Sequence, residues 1–175
     1  AIRGVVHYGG YDYAFRDNAG GTACVMYKAT ASGWTAVTFG REIQFNTAVG
    51  EIFEGDTVTG FTSGATGVAR RALLRTGTWT VNGVGTLVFD SVTGAFQSGE
   101  ALRVGGVTKA TSTSVDTAIT LSPGGKFEFD IANFNGTSDR LYCVDGVNIP
   151  GEFDGTRWVP IRTGTASSTP KFIKV

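Results

Sequence analysis

This sequence has few histidines, few cysteines and no formal net charge, and each of these features excludes a class of protein. The single histidine among 175 residues, His7, leaves no histidine pair for a zinc site. Two cysteines cannot build a disulfide-rich scaffold, and Cys24 and Cys143 fit buried free thiols of a protein made in a reducing compartment. With 15 basic and 15 acidic residues, the chain lacks the basic excess that would predict nucleic-acid binding.

Long apolar runs and helical patterns are also missing. No run approaches the roughly 20 residues of a membrane span, and we find no signal-peptide pattern. No eleven-residue window keeps a helical apolar period, and the best candidate, residues 67–75, is short and flanked by glycine. In contrast, the 26 glycines and the abundant Thr, Val and Phe indicate short strands joined by tight turns. We therefore expect an all-β protein without a membrane segment.

Motifs for catalysis and ion binding are weak. There is no Gly-x-Ser-x-Gly motif, and Thr120 and Phe127 replace the residues that a phosphate-binding loop at 120–127 would need. Residues 145–148 lack the spacing of a calcium-binding EF-hand. Asn135 begins a glycosylation sequon, which we interpret as part of a hairpin turn. We expect no enzymatic activity, no cofactor and no bound metal.

One pattern of strands and turns occurs twice. Residues 13–37 and 141–161 each contain an apolar strand, an Asp-bearing turn, an aromatic strand, a glycine turn and a strand opened by tryptophan. The two tryptophans, Trp34 and Trp158, lie 124 positions apart. Such repetition is typical of repeat architectures, including β-propellers. We expect propeller-blade-like antiparallel sheets in a discontinuous domain of residues 1–46 and 116–175.

The stretch between the two copies, residues 47–115, has fewer aromatic residues and a repeat of its own. Residues 52–59 resemble residues 96–103, 44 positions later, and each copy is followed by a turn and a further strand. Asn82-Gly83 predicts a tight hairpin between short strands. About six strands of four to six residues indicate an inserted small β-barrel or sandwich, and closure would remove open edges.

Two groups of residues carry a resemblance to a known class of proteins. LYCVDGVN (residues 141–148) with EFDGTRW (152–158) is similar to propeller blades of tail-tube or nozzle-type proteins of tailed bacteriophages. GDTVTG (55–60) with TSGATG (62–67) resembles small β-domains that decorate phage structural proteins. The resemblance implies a structural virion protein of the tail, nozzle or neck, assembled in the bacterial cytoplasm with other virion subunits as a homo-oligomeric ring. It implies no catalytic residues.

The number of blades departs from this family pattern. A propeller needs about four to eight blades, whereas the chain has material for about two. The start at Ala1 and the apolar run at 171–175 suggest a fragment of a longer protein. The other blades would then come from the rest of that protein or from neighbouring subunits.

Exposed aromatic rings leave a second interpretation open, a carbohydrate- or receptor-binding module of a phage fibre or bacterial surface protein. Flat rings stack on sugar faces, and the candidates for assembly or host-glycan contacts are Trp34, Trp158 and Tyr11. Their periodic placement also fits core packing. A glycosidase would need two carboxylates about 5–10 Å apart in a cleft, and each candidate acid also fits a turn: Asp130, Asp139, Asp145 and Asp154.

Overall fold

The computed structural model describes residues 1–134, 136–162 and 169–174, and every regular element in these ranges is a β-strand. This confirms the prediction of an all-β protein. Asn135 and Val175, which the sequence placed in a turn and an apolar run, lie outside the described residues. The strands are β1 (Ile2–Tyr8), β2 (Tyr11–Asp17), β3 (Cys24–Thr30), β4 (Gly33–Ala36), β5 (Arg41–Ala48), β6 (Thr57–Gly60), β7 (Thr66–Thr78), β8 (Val81–Thr93), β9 (Ala101–Val104), β10 (Val107–Ser112), β11 (Thr117–Ala118), β12 (Glu128–Ala132), β13 (Arg140–Val144), β14 (Gly151–Phe153) and β15 (Trp158–Pro160).

The chain divides into two compact units, residues 1–39 with 120–175 and residues 40–119. The sequence-based boundaries lay at 46/47 and 115/116. The observed boundaries differ because strand pairing assigns the flanking strands to the central unit. β5 pairs along its length with β8, and the short β11 pairs with β5. Hydrophobic patterning identified these strands but could not show which sheet they join.

Residues 40–119 form a closed antiparallel barrel of six strands. The strand order is β10-β9-β6-β7-β8-β5, and β5 pairs again with β10 to close the ring. Closure occurs where Thr111 lies opposite Asn46 and Ser112 lies opposite Phe45. Closing the sheet removes the unpaired edges that six strands would otherwise expose. Of the two predicted alternatives, barrel and sandwich, the barrel is confirmed.

The 44-residue repeat of the sequence reappears in the register of the barrel. Ile43 lies opposite Leu87, and Thr59 lies opposite Arg103. The members of each pair are 44 positions apart, so equivalent residues of the two copies face each other. This register is the one expected when an approximate two-fold axis relates the β5-β6-β7 half to the β8-β9-β10 half.

The turns that precede β6 and β9 repeat the same hydrogen bond. Asp56 accepts the backbone N–H of Phe53 at 2.8 Å, and Glu100 accepts that of Gln97 at 2.6 Å. Both bonds span three residues, and donor and acceptor are each shifted by 44 positions. The repeat therefore extends from the apolar pattern to the turn chemistry that starts the two strands.

The central hairpin of the barrel is longer than the sequence predicted. β7 and β8 each contain 13 residues, and the turn between them lies at Trp79-Thr80. The predicted Asn82-Gly83 hairpin turn is wrong. Asn82 has a φ of 49°, which asparagine tolerates, and it sits in a bulge where two β8 residues face Thr78. The Asn-Gly pair thus bends a strand near its start.

The barrel core is built from alternate strand positions. Phe45, Leu87 and Phe89 are buried, and the Phe89 ring stacks on Phe96 with centroids 5.6 Å apart. The remaining core residues are small or branched apolar side chains, including those of both repeat copies: Ile43, Ala48, Ile52, Val58, Ala65, Ala69, Leu102 and Ala110. Mixed large and small side chains fill the interior of a barrel of this size.

The other unit, residues 1–39 with 120–175, contains two four-stranded antiparallel sheets. In each sheet, strands that follow one another in sequence are neighbours, giving the orders β1-β2-β3-β4 and β12-β13-β14-β15. Aromatic rings of both sheets share one core: Phe15 stacks on Phe127 at 4.0 Å, and Tyr13 meets Phe153 edge-on at 5.2 Å. Residues 171–174 are not in a strand.

A buried carboxylate organises one end of the barrel. Glu100 is buried and accepts the backbone N–H groups of Thr62, Ser63 and Gln97 together with the Ser63 hydroxyl, over distances of 2.6 to 3.0 Å. Burial raises the pKa of this carboxyl, but the hydrogen bonds lower it by more, so the pKa lies below the usual value of 4.5. Glu100 thereby connects the β6–β7 turn to the turn before β9.

We expect Glu100→Gln to destabilise the barrel by about 1–3 kcal/mol, because the amide NH2 cannot accept the N–H groups that one carboxylate oxygen now accepts. The folded-state pKa is depressed, so the stabilisation is present above pH 4.5 and is lost as the pH falls through the folded-state value. Urea unfolding between pH 3 and 7 should show a weaker pH dependence in the variant. An unchanged pH profile would contradict this role.

We also expect Gly151→Ala to destabilise the two-sheet unit by about 1–3 kcal/mol or more. A Cβ at Gly151 would lie 2.0 Å from Cζ2 of the buried Trp158 ring, and the packed indole cannot move aside cheaply. Gly20→Ala is the matched control, because its Cβ would meet nothing closer than 3.8 Å. Chemical denaturation of both variants measures the difference, and equal stabilities would be inconsistent with the close packing.

Candidate functional site

The sheet β1–β4 has one buried face and one exposed face, and this alternation decides which side chains a partner can reach. On β2, Tyr13 and Phe15 are buried in the aromatic core, whereas Ala14 and Arg16 point to the opposite face. Residues that are paired across neighbouring strands point to the same face of the sheet. Val5 is paired with Ala14, and Ala14 is paired with Tyr27, so all three lie on the outer face. The face on which a candidate contact residue lies therefore decides whether a partner can reach it.

Trp158 belongs to the core. Its side chain is 2% exposed; its ring stacks on Phe39 at 4.9 Å and meets Phe15 edge-on at 5.9 Å. A ring enclosed in this way presents no face to a sugar or to another subunit. The structure therefore removes Trp158 from the candidate site, and the alternative of core packing accounts for it.

Trp34 occupies the equivalent strand of the first copy but faces the other way. It is 55% exposed and lines a groove on the outer face of β1–β4 with a volume of about 330 Å³. The other lining residues are Ile2, Val5, Ala14, Arg16 and Tyr27. We call this feature the Trp34 groove. It combines an exposed aromatic ring, exposed aliphatic side chains and a cation.

The groove exists because a short side chain lies between taller ones. Ala14 lies between Val5 on one neighbouring strand and Tyr27 on the other, and all three point outward. The methyl group of Ala14 forms the floor, while the larger side chains form the walls. An apolar concavity with a small number of polar groups is the usual form of a ligand site.

Tyr11 lies on the other face of the sheet from Trp34. It shares its face with Tyr13, two residues further along β2, and the ammonium of Lys28 lies 3.4 Å from its ring centroid. This cation–π contact covers one side of the ring. The structure therefore does not bring Tyr11 and Trp34 together, and a single ligand on the outer face cannot contact both.

Polar side chains stand at two ends of the outer face of β2. Arg16 lines the groove and makes no ion pair with any described residue. At the other end, Asp12 accepts a 2.8 Å hydrogen bond from Nδ1 of His7, and both side chains are exposed. Asp12, Ala14 and Arg16 occupy alternate positions of one strand, so the outer face has an acid, a small apolar residue and a base in a row.

Three of the four acids considered for glycosidase chemistry accept backbone N–H groups close to them in the sequence, and the fourth, Asp139, is exposed and accepts the Tyr8 hydroxyl through its backbone carbonyl. Asp145 accepts the N–H groups of Val147 and Asn148 at 2.9 and 2.7 Å, and Asp154 accepts those of Thr156 and Arg157 at 2.8 and 2.6 Å. Carboxylates that cap their own turns in this way are typical turn residues. Asp130 likewise accepts the N–H of Ile131.

The two cysteines and the remaining acids do not form a second site. Cys24 and Cys143 are buried free thiols, and burial raises the pKa of Cys24 to about 11 and that of Cys143 further. Such thiols are not activated nucleophiles. Within the described ranges there is no group of three or more His, Cys, Asp or Glu side chains that could hold a metal ion. The same ranges contain no helix with the length and apolar character needed to cross a membrane.

Sequence reasoning identified Trp34 but missed the rest of its groove. Ile2, Val5 and Ala14 are ordinary strand residues, and only the register across three strands brings them beside Tyr27. Alternation along β2 could have separated Tyr11 from Arg16. It could not have shown that Arg16 makes no ion pair with a described carboxylate.

Comparison with known proteins gave no further assignment: no protein-family model, no curated protein and no solved structure matches this chain.

We expect the two tryptophans to respond oppositely to truncation. Trp158→Ala should lower the free energy of unfolding by about 3–5 kcal/mol, because it leaves a cavity in the aromatic core. Trp34→Ala should change it by less than about 1 kcal/mol, because the ring is exposed. Urea titration followed by far-UV circular dichroism distinguishes the two, and a large loss at Trp34 would assign that ring to the core as well.

Proposed function

We propose that this chain is a non-enzymatic structural component of a tailed-phage particle, from the tail, nozzle or neck region. It would assemble in the bacterial cytoplasm into a homo-oligomeric ring with contacts to other virion subunits. The resemblance of residues 55–67 and 141–158 to phage structural proteins motivates this assignment. The support from the structure comes from the edges and faces of the two four-stranded sheets.

The strand order of the two four-stranded sheets supports the proposal of propeller-like blades. A blade is a four-stranded antiparallel sheet, and a propeller places several of them around an axis. Here β1–β4 and β12–β15 each connect sequential neighbours, and their aromatic faces share a core. We propose that the two sheets are blade-like units and that further blades come from other copies or other parts of the particle.

The observation that carries the assembly proposal is the edge strand β4. It pairs with β3 and with no other described strand, and all four of its residues are exposed. An edge with unpaired N–H and C=O groups is a template for a strand from another chain. We propose that a second copy of this chain pairs with this edge.

The hydrogen-bond pattern between β3 and β4 shows which backbone N–H groups of β4 are available to an added strand. Val37 donates its N–H to the carbonyl of Met26 at 2.8 Å. Hydrogen-bonded pairs alternate along an antiparallel ladder, so the N–H of Thr35 also points to β3, while those of Trp34 and Ala36 point away from it. The outward groups of Trp34 and Ala36 are the donors that an added strand would use.

We expect the chain to self-associate, and we expect Ala36→Pro to weaken that association by about tenfold or more. Proline removes one outward donor without breaking the ladder to β3, which an edge strand tolerates. Ala36→Val keeps the N–H and is the matched control. Thr35→Pro breaks the inward ladder and should lower stability instead. Sedimentation velocity over a concentration series measures the association, and a monomer at all concentrations would exclude this mode of assembly.

The Trp34 groove favours a second function, binding of carbohydrate on a host surface. The exposed indole provides a flat apolar face, and the groove adds aliphatic walls and a cation. Loss of saccharide binding in Trp34→Ala with retained folding would support this function. The edge of β4 and the outer face of the sheet point in different directions, so assembly and binding do not exclude each other.

A further inference from the structure

We propose that the Trp34 groove takes a saccharide that carries a carboxylate, such as a uronic acid or sialic acid unit. The sugar ring would lie against Trp34, and its carboxylate would bind the guanidinium of Arg16. This inference rests on the carbohydrate-binding function proposed above and names the ligand class of that site. It follows from two features of the groove, a cation without a described ion-pair partner and an aromatic wall, and from a polar pair elsewhere on the same outer face.

The guanidinium of Arg16 indicates that the ligand of the groove carries a negative charge. Several other arginines are paired with carboxylates, for example Arg3 with Asp17 and Arg41 with Asp116. Arg16 has no such partner among the described residues, although it lines a largely apolar groove. Its planar guanidinium can donate two parallel hydrogen bonds to a carboxylate.

The aromatic wall selects a ligand with a flat apolar face. Trp34 stands on β4 with its ring 55% exposed, and Tyr27 lies on the adjacent strand β3. One face of a pyranose ring presents C–H groups, while its hydroxyls project around the rim. The C–H face would cover the indole, and the rim would reach the polar ends of the outer face.

The polar pair at the other end favours a sugar over an apolar protein segment. Asp12 and His7 are exposed, lie on the outer face and share a 2.8 Å hydrogen bond. They offer donors and acceptors to hydroxyl groups. An apolar segment covering the same area would bury Arg16 and this pair without new partners, and desolvation of such groups is costly.

The test uses the chain of residues 1–175 and three acidic probes: oligogalacturonate, hyaluronan oligosaccharide and oligosialic acid. The methyl ester of each probe is the matched ligand, because it keeps the sugar and removes the negative charge. An acidic peptide containing Glu and Phe tests a protein partner. Isothermal titration calorimetry measures binding, and we expect at least one acidic saccharide to bind about tenfold or more tightly than its ester.

Variants then assign the contacts. Arg16→Gln should weaken binding of the acid by about 10- to 100-fold and leave the weak binding of the ester unchanged. Trp34→Ala should weaken both. Lys28→Gln is the matched control, because it removes a cation from the opposite face of the same sheet. It should bind like the original chain.

The outcomes separate this inference from the function on which it rests. If esters and acids bind equally, with dependence on Trp34 but not on Arg16, the groove binds carbohydrate and the acidic class is wrong. If no saccharide binds, both are wrong. Binding of the peptide alone through Arg16 would assign the groove to a protein partner and overturn the inference.

Discussion

Both units of this protein depend on one constraint: the backbone N–H and C=O groups at the edges of their sheets need hydrogen-bond partners. A chain with no helix among its described residues has no internal way to pair its backbone, so each strand needs neighbours. In residues 40–119 the pairing of β5 with β10 closes the sheet into a barrel. In the other unit the two sheets remain open, and β4 keeps an exposed edge. The closed barrel has no unpaired edge strand, whereas the open edge of a sheet can pair with a strand from another chain.

The two units use repetition for different purposes. In the barrel, the copies face each other, with Ile43 opposite Leu87 and Thr59 opposite Arg103, so that repetition itself forms the closed ring. In the two-sheet unit, each copy forms a separate sheet, and the copies meet through aromatic side chains such as Phe15 and Phe127. The second arrangement leaves an outer face on the first sheet, and the Trp34 groove lies on that face.

The paired tryptophans show how equivalent sequence positions acquire different roles. Both lie near the start of the last strand of their sheet, but Trp34 lies opposite Ala29 and Trp158 lies opposite Phe153. Because side chains alternate between faces, one pairing directs the indole outward and the other directs it into the core. The chemistry of the groove therefore depends on strand register. A repeat that is recognised from residue types alone does not reveal this register.

By itself the sequence determined the strand content, the positions of most turns and the existence of two repeats, because glycine, asparagine and β-branched residues act on the local backbone. It also located a barrel-forming segment, although it misplaced the hairpin at Asn82-Gly83, since a bulge and a turn have the same local preference for a positive φ. Only the tertiary structure decided that β5 joins the barrel, that Trp158 is buried and that Ala14 and Arg16 share a groove with Trp34. These features depend on which strands pair and in what register, and such pairings join residues that are distant in the chain.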